Sequence, residues 1–369
     1  MNVVSVSSFN SELVEFLERF GSPFLQPWFI ESARGERTLK IFAIDRDRQI
    51  VACLPVMLEK KHSLFHRGDI ANWAHINGPV VHPSLSAEEK GQAVSLLLKQ
   101  LSKWTSYKFV CDPEDCDEAL LTAFDHAGFT RRPRKTYLRM PSDPDVMAGL
   151  NKKHRNNIKR AFENLHIVEN FFTDKFAEFY NKNLINCGKF AWHSIEILSN
   201  IINAGSALDI DKHSKGKRIL VVAAKSKSSE AVAAIACLLN QRRMYYWLST
   251  RQHFYTNGCV VKGGDDAIKA LLIHAIARAA ELGLVFDADG VYSPGAAHLL
   301  KRLFPREMER SEFVRYAPHD PWRVTQAEIN GKTVYDWVSI TKSGVRSTGT
   351  ARGRLASACR SLFAAGFPR

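Results

Sequence analysis

The sequence lacks the residue spacings that mark common metal and disulfide sites. Its seven cysteines are an odd number, and no two of them form a CxxC pair. Because structural zinc sites and small disulfide-rich folds depend on such spacings, the sequence predicts neither a metal site nor a disulfide framework. No run reaches the roughly 20 apolar residues that cross a bilayer, and the N-terminus has no basic segment followed by an apolar one. We therefore expect a cytoplasmic protein with reduced thiols.

Fingerprints of the common nucleotide-binding and hydrolytic sites are also absent. The chain contains no GxGxxG, no GxxxxGK[ST], no GxSxG and no HExxH. The sequence therefore contains no motif for a dinucleotide site, a P-loop, a nucleophile elbow or a zinc protease site. The composition is that of an ordinary folded protein, with 45% hydrophobic and 24% charged residues, which excludes wholesale disorder.

The formal net charge of +13 is concentrated in two stretches of the chain. Residues Arg131–Arg160 contain ten Lys and Arg against two Asp, and residues Gln326–Arg369 contain seven Lys and Arg against two acids. The rest of the sequence is neutral overall. Because the excess is local, it favours a phosphate-bearing small molecule over a nucleic-acid duplex, and the C-terminal stretch also suits an anionic membrane surface.

Apolar periodicity in the first half of the chain predicts a mixture of strands and helices. Two β-runs joined by a polar turn indicate a hairpin, which is followed by leucines at helical spacing and a short aromatic strand. The predicted elements are strands at Thr38–Ile44 and Ile50–Leu58, a helix at Glu88–Leu101, a strand at Tyr107–Cys111 and a helix at Ala119–Ala127.

The second half alternates in the same way, with longer helices. Helical spacing and strand-like apolar runs again follow one another, and Gly283 ends the longest helix. The predicted elements are helices at Ala161–Phe179 and Ser194–Ala204, strands at Arg218–Ala224, Ala231–Leu239 and Met244–Ser249, a helix at Asp266–Leu282, a strand at Leu284–Asp287 and a helix at Gly295–Phe304.

This order predicts an α/β (α+β) protein made of tandem lobes, each a mixed β-sheet flanked by helices. The proline-containing stretch Pro133–Asn157 marks the boundary between the lobes. We therefore expect an N-terminal lobe at residues 1–150, a C-terminal lobe carrying the site at residues 151–325, and a basic tail at residues 326–369. The tail has room for one short helix, at Ala351–Ala364.

The basic residues of the segment LNKKHRNNIKRA form a first candidate site. Lys152, Arg155 and Lys159 fall on the opening turns of a helix, where cations oppose the helix dipole. Local stability does not explain them, whereas a bound phosphate would, because guanidinium groups and free backbone N–H groups together hold one. The alternative is a solvated basic helix face.

Aromatic and acidic residues at strand positions form a second candidate site. Alternation along the strand Met244–Ser249 places Tyr246 opposite its two aromatic neighbours, so Tyr246 either lines a cleft or packs in the core. Asp287 and Asp289 share a face at the carboxyl end of a strand, where open α/β folds bind ligands. A carboxylate there either orients or deprotonates an amine, or it caps the next helix. His193 is either a general base or a core histidine.

Several of these stretches together resemble the GNAT superfamily of acyltransferases. The likeness is to the branch of the cellulose-biosynthesis-type (CelD-like) acetyltransferases and the Fem-type aminoacyltransferases of peptidoglycan assembly. It implies tandem GNAT-like lobes that acylate an amine in the second lobe and in the cleft between the lobes. The segments that carry it, within residues 20–318, are SPFLQPWFIES, LKIFAIDRDRQIVACLPVML, LNKKHRNNIKRA, and LGLVFDADG followed by LLKRLFP.

The resemblance also implies roles for individual residues. Lys152 and Arg155 would hold phosphate, Tyr246 would lie in the cleft, Asp289 would orient or deprotonate the amine, and Lys301 would contact the acceptor. Lys152, Arg155, Tyr246 and Asp289 are then expected to converge on one cleft. The implied donor is an acyl-coenzyme A, with aminoacyl-tRNA as the alternative, and no metal is required.

Two features of the chain depart from this family pattern. The segment VVKGGDDAI puts Asp265 and Asp266 at the helix start where GNAT enzymes bind pyrophosphate, and two acids there would repel an anion. No heptad insertion provides the coiled-coil arm with which Fem-type relatives grip tRNA. The sequence therefore constrains the fold more closely than it constrains the acyl donor.

The functional hypothesis is an N-acyltransferase acting on an amine of a phosphate-bearing acceptor, such as a nucleotide-linked or lipid-linked sugar in envelope or polysaccharide synthesis. The alternatives are a tRNA-dependent aminoacyltransferase and a basic nucleic-acid-binding protein without catalysis. In the tail, Leu355, Leu362 and Phe363 lie among arginines, which predicts peripheral contact with an anionic membrane.

Overall fold

The computed structural model describes residues 1–61, 65–170, 173–191, 193–207, 218–252, 255–256, 259–260, 264–289 and 300–318. Met1–Arg315 form one unit. A second unit, Tyr316–Arg369, lies almost wholly outside the described residues, as does the predicted tail helix at Ala351–Ala364. Residues 300–303 are helical, whereas the predicted start of that helix at Gly295 is outside the described part.

Strands and helices alternate through the first half of the chain, as the apolar periodicity predicts. The predicted hairpin is present and extends beyond both predicted runs. The first long helix starts with a capping box, in which the side chains of Ser86 and Glu89 each bond the other's backbone N–H. The elements are β1 (Asn2–Val6), α1 (Ser11–Phe20), α2 (Pro27–Ala33), β2 (Thr38–Arg46), β3 (Gln49–Lys61), β4 (Phe65–Asp69), β5 (Val80–Val81), α3 (Ala87–Lys99), β6 (Thr105–Cys111), α4 (Glu118–His126) and β7 (Thr130–Arg139).

In the second half, the predicted helix at Ala161–Phe179 is wrong, because three elements occupy that stretch. Leu165 is extended, with φ −124° and ψ 138°, and the next residues join the edge of the sheet. The other predicted strands and helices lie close to their predicted bounds. The elements are α5 (Lys152–Asn164), β8 (His166–Glu169), α6 (Thr173–Asn186), α7 (Ile195–Ala207), β9 (Ile219–Lys225), β10 (Ala231–Leu239), β11 (Arg243–Arg251), β12 (Tyr255–Thr256), β13 (Cys259–Val260), α8 (Gly264–Glu281), β14 (Val285–Asp287) and β15 (Arg306–Arg315).

One continuous sheet contains all of these strands except β12 and β13. Its order is β1-β2-β3-β4-β6-β15-β7-β14-β11-β10-β9-β8, with β5 beside β3. In each half, three antiparallel strands lead to a parallel pair: β2, β3 and β4 to β6, and β9, β10 and β11 to β14. A parallel pair needs a crossover connection, which α3 and α8 provide. The predicted class, a mixed sheet flanked by helices, is confirmed.

The last strand of each half pairs with the other half. β7 lies beside β14, and β15 lies between β6 and β7. Phe313 of β15 therefore belongs to the core of the first half, where its ring stacks on Phe124 with 3.9 Å between centroids. The lobe boundary at residue 150 stays a prediction, and the sheet itself is continuous across it.

The stretch Pro133–Asn157, predicted to hold the lobe boundary, is not a linker, because it contains most of β7 and the start of α5. Pro133 has no backbone N–H to donate and is rare in central strands. It fits in β7 because β14 pairs only with Leu138 and Arg139, so near Pro133 the strand has only β15 as a described neighbour.

Much of the positive charge of Arg131–Arg160 is neutralised between β7 and β15. Opposite charges across an antiparallel ladder stabilise the pairing, and they let the polar run REMERSEFVR form a strand that apolar periodicity does not predict. The anion site expected from this stretch is therefore limited to the cations of α5. The ion pairs are Arg131 with Glu309, Lys135 with Glu307, and both Arg132 and Arg134 with Glu312.

Helices cover both faces of the sheet in the second half. We call the side packed by α6 and α7 the α6 face, and the side packed by α5 and α8 the α8 face. Side chains of β11 alternate between them, so that Tyr245 and Trp247 belong to the α6 face and Met244 to the α8 face. Loop residues Ala71, Trp73 and Ile76 pack in the α6-face core.

The described part of the chain holds no disulfide, since Cys53, Cys111, Cys116, Cys187 and Cys237 are free thiols. Within the same residues, no group of three or more His, Cys, Asp or Glu side chains is arranged to hold a metal ion. No described helix has both the length and the apolar character needed to cross a bilayer.

Substitution of Phe313 by Ala tests the position of β15. The ring is 1% exposed and stacked, so its loss is expected to lower the free energy of unfolding by about 3–5 kcal/mol. Phe162→Ala is the matched control, because that ring on α5 is 39% exposed and its loss is expected to cost less than about 1 kcal/mol. Urea denaturation measures both. Equal losses of unfolding free energy in the two variants would contradict a role for Phe313 in the core of the first half.

Candidate active site

A loop between β4 and β5, residues 70–79, contacts the second half of the chain. Trp73 in this loop has a φ of 63°, a left-handed conformation that is unfavourable for a bulky residue. Its carbonyl accepts a hydrogen bond from Nε1 of Trp247 at 2.7 Å, and its own indole N–H donates to the carbonyl of Ser194 at 3.0 Å. These bonds hold the strained backbone, and strain of this kind clusters at functional sites.

Asn77 fixes the other end of loop 70–79 to β6. Its side-chain oxygen accepts from a backbone N–H of β6 at 2.7 Å, and its Nδ2 donates to a β6 carbonyl at 2.8 Å. Gly78 approaches the strand so closely that a Cβ there would collide with Sγ of Cys111. His75, between Trp73 and Asn77, is therefore held on both sides.

A buried group of charges lies where β7, β11, β14 and β15 meet. Asp287 at the end of β14 is fully buried, and its carboxylate accepts hydrogen bonds from three side chains. Oγ1 of Thr136 donates to Oδ1 at 2.7 Å, while Arg243 and Arg310 each donate to Oδ2 at 3.0 Å. Because each donor belongs to a different strand, this one carboxylate connects all four strands.

Asp112, directly after β6, provides a second carboxylate. Its Oδ2 accepts from the hydroxyl of Tyr245 at 2.8 Å, and its Oδ1 accepts from Arg310 at 3.2 Å. Arg243 also pairs with Glu114 at 2.8 Å, at the more exposed edge. We call the connected side chains the Asp–Arg network: Asp112, Thr136, Arg243, Tyr245, Asp287 and Arg310.

Burial and neighbouring charges set the protonation of the Asp–Arg network. Burial raises the pKa of Asp112, against the opposing effect of the two arginines. Burial also raises the pKa of Tyr245 well above its usual value, and the Asp112 carboxylate adds to the rise, so the phenol stays protonated and donates. For Arg310, burial lowers the pKa, but three surrounding aspartates outweigh it and raise the pKa, so the guanidinium stays charged.

Asp289 connects the Asp–Arg network to loop 70–79. Its φ is 53°, again left-handed, and its backbone N–H donates to Oδ1 of Asp287 at 2.8 Å. Oδ1 of Asp289 accepts from Arg310 at 2.6 Å, and Oδ2 is hydrogen-bonded to Nδ1 of His75. An ionised carboxylate can only accept hydrogen bonds. In the neutral imidazole, Nδ1 of His75 therefore carries the proton, and Nε2 has a lone pair.

His75 is the solvent-accessible member of this arrangement. Its side chain is 23% exposed, whereas that of Asp289 is 0% exposed. The imidazole packs beside the ring of Phe24 with 5.4 Å between centroids. Nε2 has no hydrogen-bond partner among the described residues. A histidine with one nitrogen oriented by a carboxylate and the other unpaired is arranged to act as a general base.

His193, predicted as a catalytic residue, lies close to loop 70–79. Its ring contacts that of Trp73 with 5.5 Å between centroids. Burial lowers the pKa of His193, and the positive charge of Arg37, followed by that of His75, lowers it further. The imidazole of His193 is therefore mainly neutral at pH 7.

The predicted aromatic and acidic residues do not all come together. Asp287 and Asp289 meet at the Asp–Arg network, on the side of loop 70–79. Tyr246 instead packs on the α8 face, where burial raises its pKa to about 12. Its neighbour Tyr245 is the tyrosine that reaches the network, because adjacent residues of a strand point to opposite faces.

The predicted phosphate-binding residues belong to the α8 side of the sheet. Lys152 and Lys159 of α5 are exposed, and the guanidinium of Arg155 bonds a backbone carbonyl of the preceding turn. Lys301 pairs with Glu307 at 3.5 Å. The expected convergence of Lys152, Arg155, Tyr246 and Asp289 on one face is therefore not seen, since the first three are on the opposite side of the sheet from Asp289.

Cations from three segments surround His154 of α5. Burial lowers the pKa of His154, and Lys269 of α8, Arg302 and Lys153 lower it further. Nδ1 of His154 is buried and has no hydrogen-bond partner within the described residues. Asp266 pairs with Lys269 at 2.8 Å, which offsets the repulsion expected from an acid at the start of α8. We call Lys153, Lys269 and Arg302, which surround the neutral His154, the α5 cation cluster, a surface that attracts anions.

Six residues of this site were not identified from the sequence: His75, Asp112, Thr136, Arg243, Tyr245 and Arg310. Asp112 carries the signal that identified Asp289, an acid directly after a buried strand, and Arg243 directly precedes the predicted aromatic strand Met244–Ser249. His75 and Arg310 carry no local signal. Their partners are distant, with 214 positions between His75 and Asp289 and 198 between Arg310 and Asp112.

Two solved structures have a fold similar to that of this chain. The crystal structure of FemX aligns over 87% of this chain and 99% of its own, with a TM-score of 0.64 and 12% identity. The fold is similar to that of FemX. The C-terminal domain of a protein named as a lysylphosphatidylglycerol synthetase, from Agrobacterium fabrum, aligns over 82% of this chain and 90% of its own, with a TM-score of 0.52 and 11% identity.

A tandem GNAT protein from the clavulanic acid biosynthesis pathway aligns over 86% of this chain and 99% of its own, with 11% identity and a TM-score of 0.48. No protein-family model and no curated protein sequence matches the chain. At such low identity the likenesses to FemX and to the synthetase domain show a similar fold alone. The branch of the cellulose-biosynthesis-type acetyltransferases stays a prediction.

A pair of adjacent tyrosines tests the Asp–Arg network. Tyr245→Phe removes a hydrogen bond to a buried carboxylate and is expected to lower the free energy of unfolding by about 1.5–3 kcal/mol. Tyr246→Phe is the control on the opposite face; its hydroxyl has a neutral partner, Ser249, so the loss is expected to be about 0.5–1.5 kcal/mol. Guanidinium denaturation measures both. A larger loss for Tyr246→Phe would contradict the assigned contacts.

Proposed function

We propose that the protein is an N-acyltransferase that transfers an acyl or aminoacyl group to an amine of a phosphate-bearing acceptor, such as a nucleotide-linked or lipid-linked sugar. The observation that carries this proposal is His75, which is oriented by Asp289 through Nδ1 and whose Nε2 has no hydrogen-bond partner within the described part of the chain. Acylation of an amine requires a group that accepts its proton near neutral pH, and histidine is the side chain suited to that task. The resemblance of the sequence to GNAT acyltransferases supports the same class of reaction.

The carboxyl end of β14, where its pairing with β11 stops, supports a meeting point for two substrates. These parallel strands pair only between Arg243–Tyr245 and Val285–Asp287, although β11 continues to Arg251. Open α/β folds bind ligands in the crevice at the carboxyl ends of such strands. In this proposal the amine lies beside His75 on the α6 face, and the phosphates of the donor bind the α5 cation cluster on the α8 face.

The proposed reaction moves one proton through His75. The amine nitrogen forms a bond to the acyl carbon, and Nε2 of His75 takes the proton that the nitrogen loses. The bond from the acyl carbon to the thioester sulfur, or to the ester oxygen of an aminoacyl donor, then breaks. The leaving group takes the proton back from the imidazolium, so the histidine ends neutral. Asp289 orients the ring and stabilises its charged form, as a buried carboxylate does for other catalytic histidines.

The choice of donor follows from the same geometry. Coenzyme A carries several phosphates on a small molecule, which suits a compact group of cations such as the α5 cation cluster. We therefore propose an acyl-coenzyme A as the donor, with aminoacyl-tRNA as the alternative. Generic binding of nucleic acid has less support, because the cations of β7 are paired with glutamates of β15.

Substitution of His75 tests the proposed function. Turnover is measured as thiol release from acyl-coenzyme A with amino-sugar nucleotides, and as transfer from aminoacyl-tRNA to the same acceptors. His75→Gln is expected to lower kcat/KM by about 10²- to 10⁴-fold.

The matched control is His126→Gln, at the exposed end of α4, which is expected to leave kcat/KM unchanged. Full activity of His75→Gln would contradict the assigned role of His75. No turnover by the wild-type protein with either donor class would contradict the proposed function itself.

A further inference from the structure

The C-terminal end of α6 exposes large apolar side chains to solvent. Ile185 is 56% exposed and Phe190 is 85% exposed, which is the highest value of any large hydrophobic side chain in the described part of the chain. We call residues 182–190 the α6 tip. Single exposed apolar residues are ordinary on protein surfaces, but two so close in the chain indicate an interaction surface.

The α6 tip has a fixed backbone. Gly188 has a φ of 66°, and its N–H bonds the carbonyl of Ile185 at 2.9 Å, while the N–H of Lys189 bonds the carbonyl of Leu184 at 2.9 Å. This pattern of bonds is a Schellman cap, which ends a helix in a defined conformation. One turn earlier, Asn183 is 4% exposed and its Nδ2 donates to a β11 hydroxyl at 3.0 Å. The helix end is therefore anchored to the core.

All charged residues of the α6 tip are positive. Between Tyr180 and Ala191 the only charged residues are Lys182 and Lys189, and both are exposed. Apolar side chains flanked by lysines suit the surface of an anionic bilayer, where apolar groups enter the acyl boundary and ammonium groups stay among the phosphates.

A lipid surface fits the α6 tip better than a protein partner does. Stable protein interfaces bury about 800 Å² on each partner and use roughly 20–30 residues a side. The α6 tip provides nine residues with two large apolar side chains, which is too small for such an interface. Insertion into a bilayer has no minimum area, and a few apolar and cationic side chains give weak, reversible binding.

We propose that the α6 tip docks on an anionic lipid surface. The inference goes beyond the proposed function and does not depend on it. The tip is continuous with the candidate active site, because His193 follows Phe190 by three residues and its ring contacts Trp73 of loop 70–79. Docking would hold the side of the protein that carries His75 close to the lipid headgroups.

Vesicle co-sedimentation of the full chain tests this proposal. The wild-type protein is expected to bind vesicles of equal parts phosphatidylglycerol and phosphatidylcholine, and to bind pure phosphatidylcholine much more weakly. The double variant Ile185→Ser with Phe190→Ser is expected to lower the partition coefficient at least about tenfold, because the apolar insertion is lost. Trp104→Ser is the matched control, since that side chain is 67% exposed outside the tip. It is expected to leave partitioning unchanged.

Lysine variants separate the electrostatic contribution to vesicle binding from the apolar one. Lys182→Gln and Lys189→Gln should each lower partitioning about fivefold on anionic vesicles and have little effect on neutral ones. Thermal unfolding of every variant checks that the fold is intact. Absence of vesicle binding, equal binding to neutral vesicles, or anionic binding unchanged by the tip substitutions would each overturn the proposal. The acyl-transfer assay with water-soluble acceptors is independent of these outcomes.

Discussion

The buried arginines Arg243 and Arg310 constrain how the two halves of the chain can be joined. A buried charge that loses its partner costs about 3–5 kcal/mol, so both guanidinium groups must find carboxylates where they lie. Asp112 and Asp287 provide them, from β6 and β14 respectively. This requirement places β15 between β6 and β7, and it explains why the last strand of each half belongs to the sheet of the other. Asp289 accepts a hydrogen bond from Arg310 and is itself hydrogen-bonded to His75. The network therefore also positions His75.

Apolar periodicity predicts the elements whose stability comes from an apolar face. The β2–β3 hairpin, α3, α8 and the three strands β9, β10 and β11 were found in this way. β7 and β15 were not, because their side chains are mostly charged and are stabilised by pairing with each other across the sheet. The error at Ala161–Phe179 has a similar cause, since β8 is a short edge strand whose place is set by its pairing with β9. Such pairings depend on the tertiary structure, and no local sequence pattern predicts them.

Some residues of the candidate site are likewise predicted by local sequence patterns, and others are not. Asp287 and Asp289 could be predicted because the carboxyl end of a buried strand is a local feature. Strand alternation separated Tyr245 from Tyr246 but did not say which face held the network. His75 has no local signal, and its role depends on an aspartate from the other half. The net charge of +13 located a basic stretch correctly, but only the structure shows that β15 neutralises its first part and leaves the cations around α5 for an anion.

The Asp–Arg network, acting through Asp289, places the proton of the neutral His75 imidazole on Nδ1. Nitrogen-15 NMR of the His75 imidazole measures this directly, because the two ring nitrogens have distinct shifts when one carries the proton. Neutral His75 is expected to be protonated at Nδ1, and Asp289→Asn is expected to abolish this preference. A neutral ring protonated mainly at Nε2 in the wild-type protein, or an equal mixture of the two tautomers, would contradict this expectation.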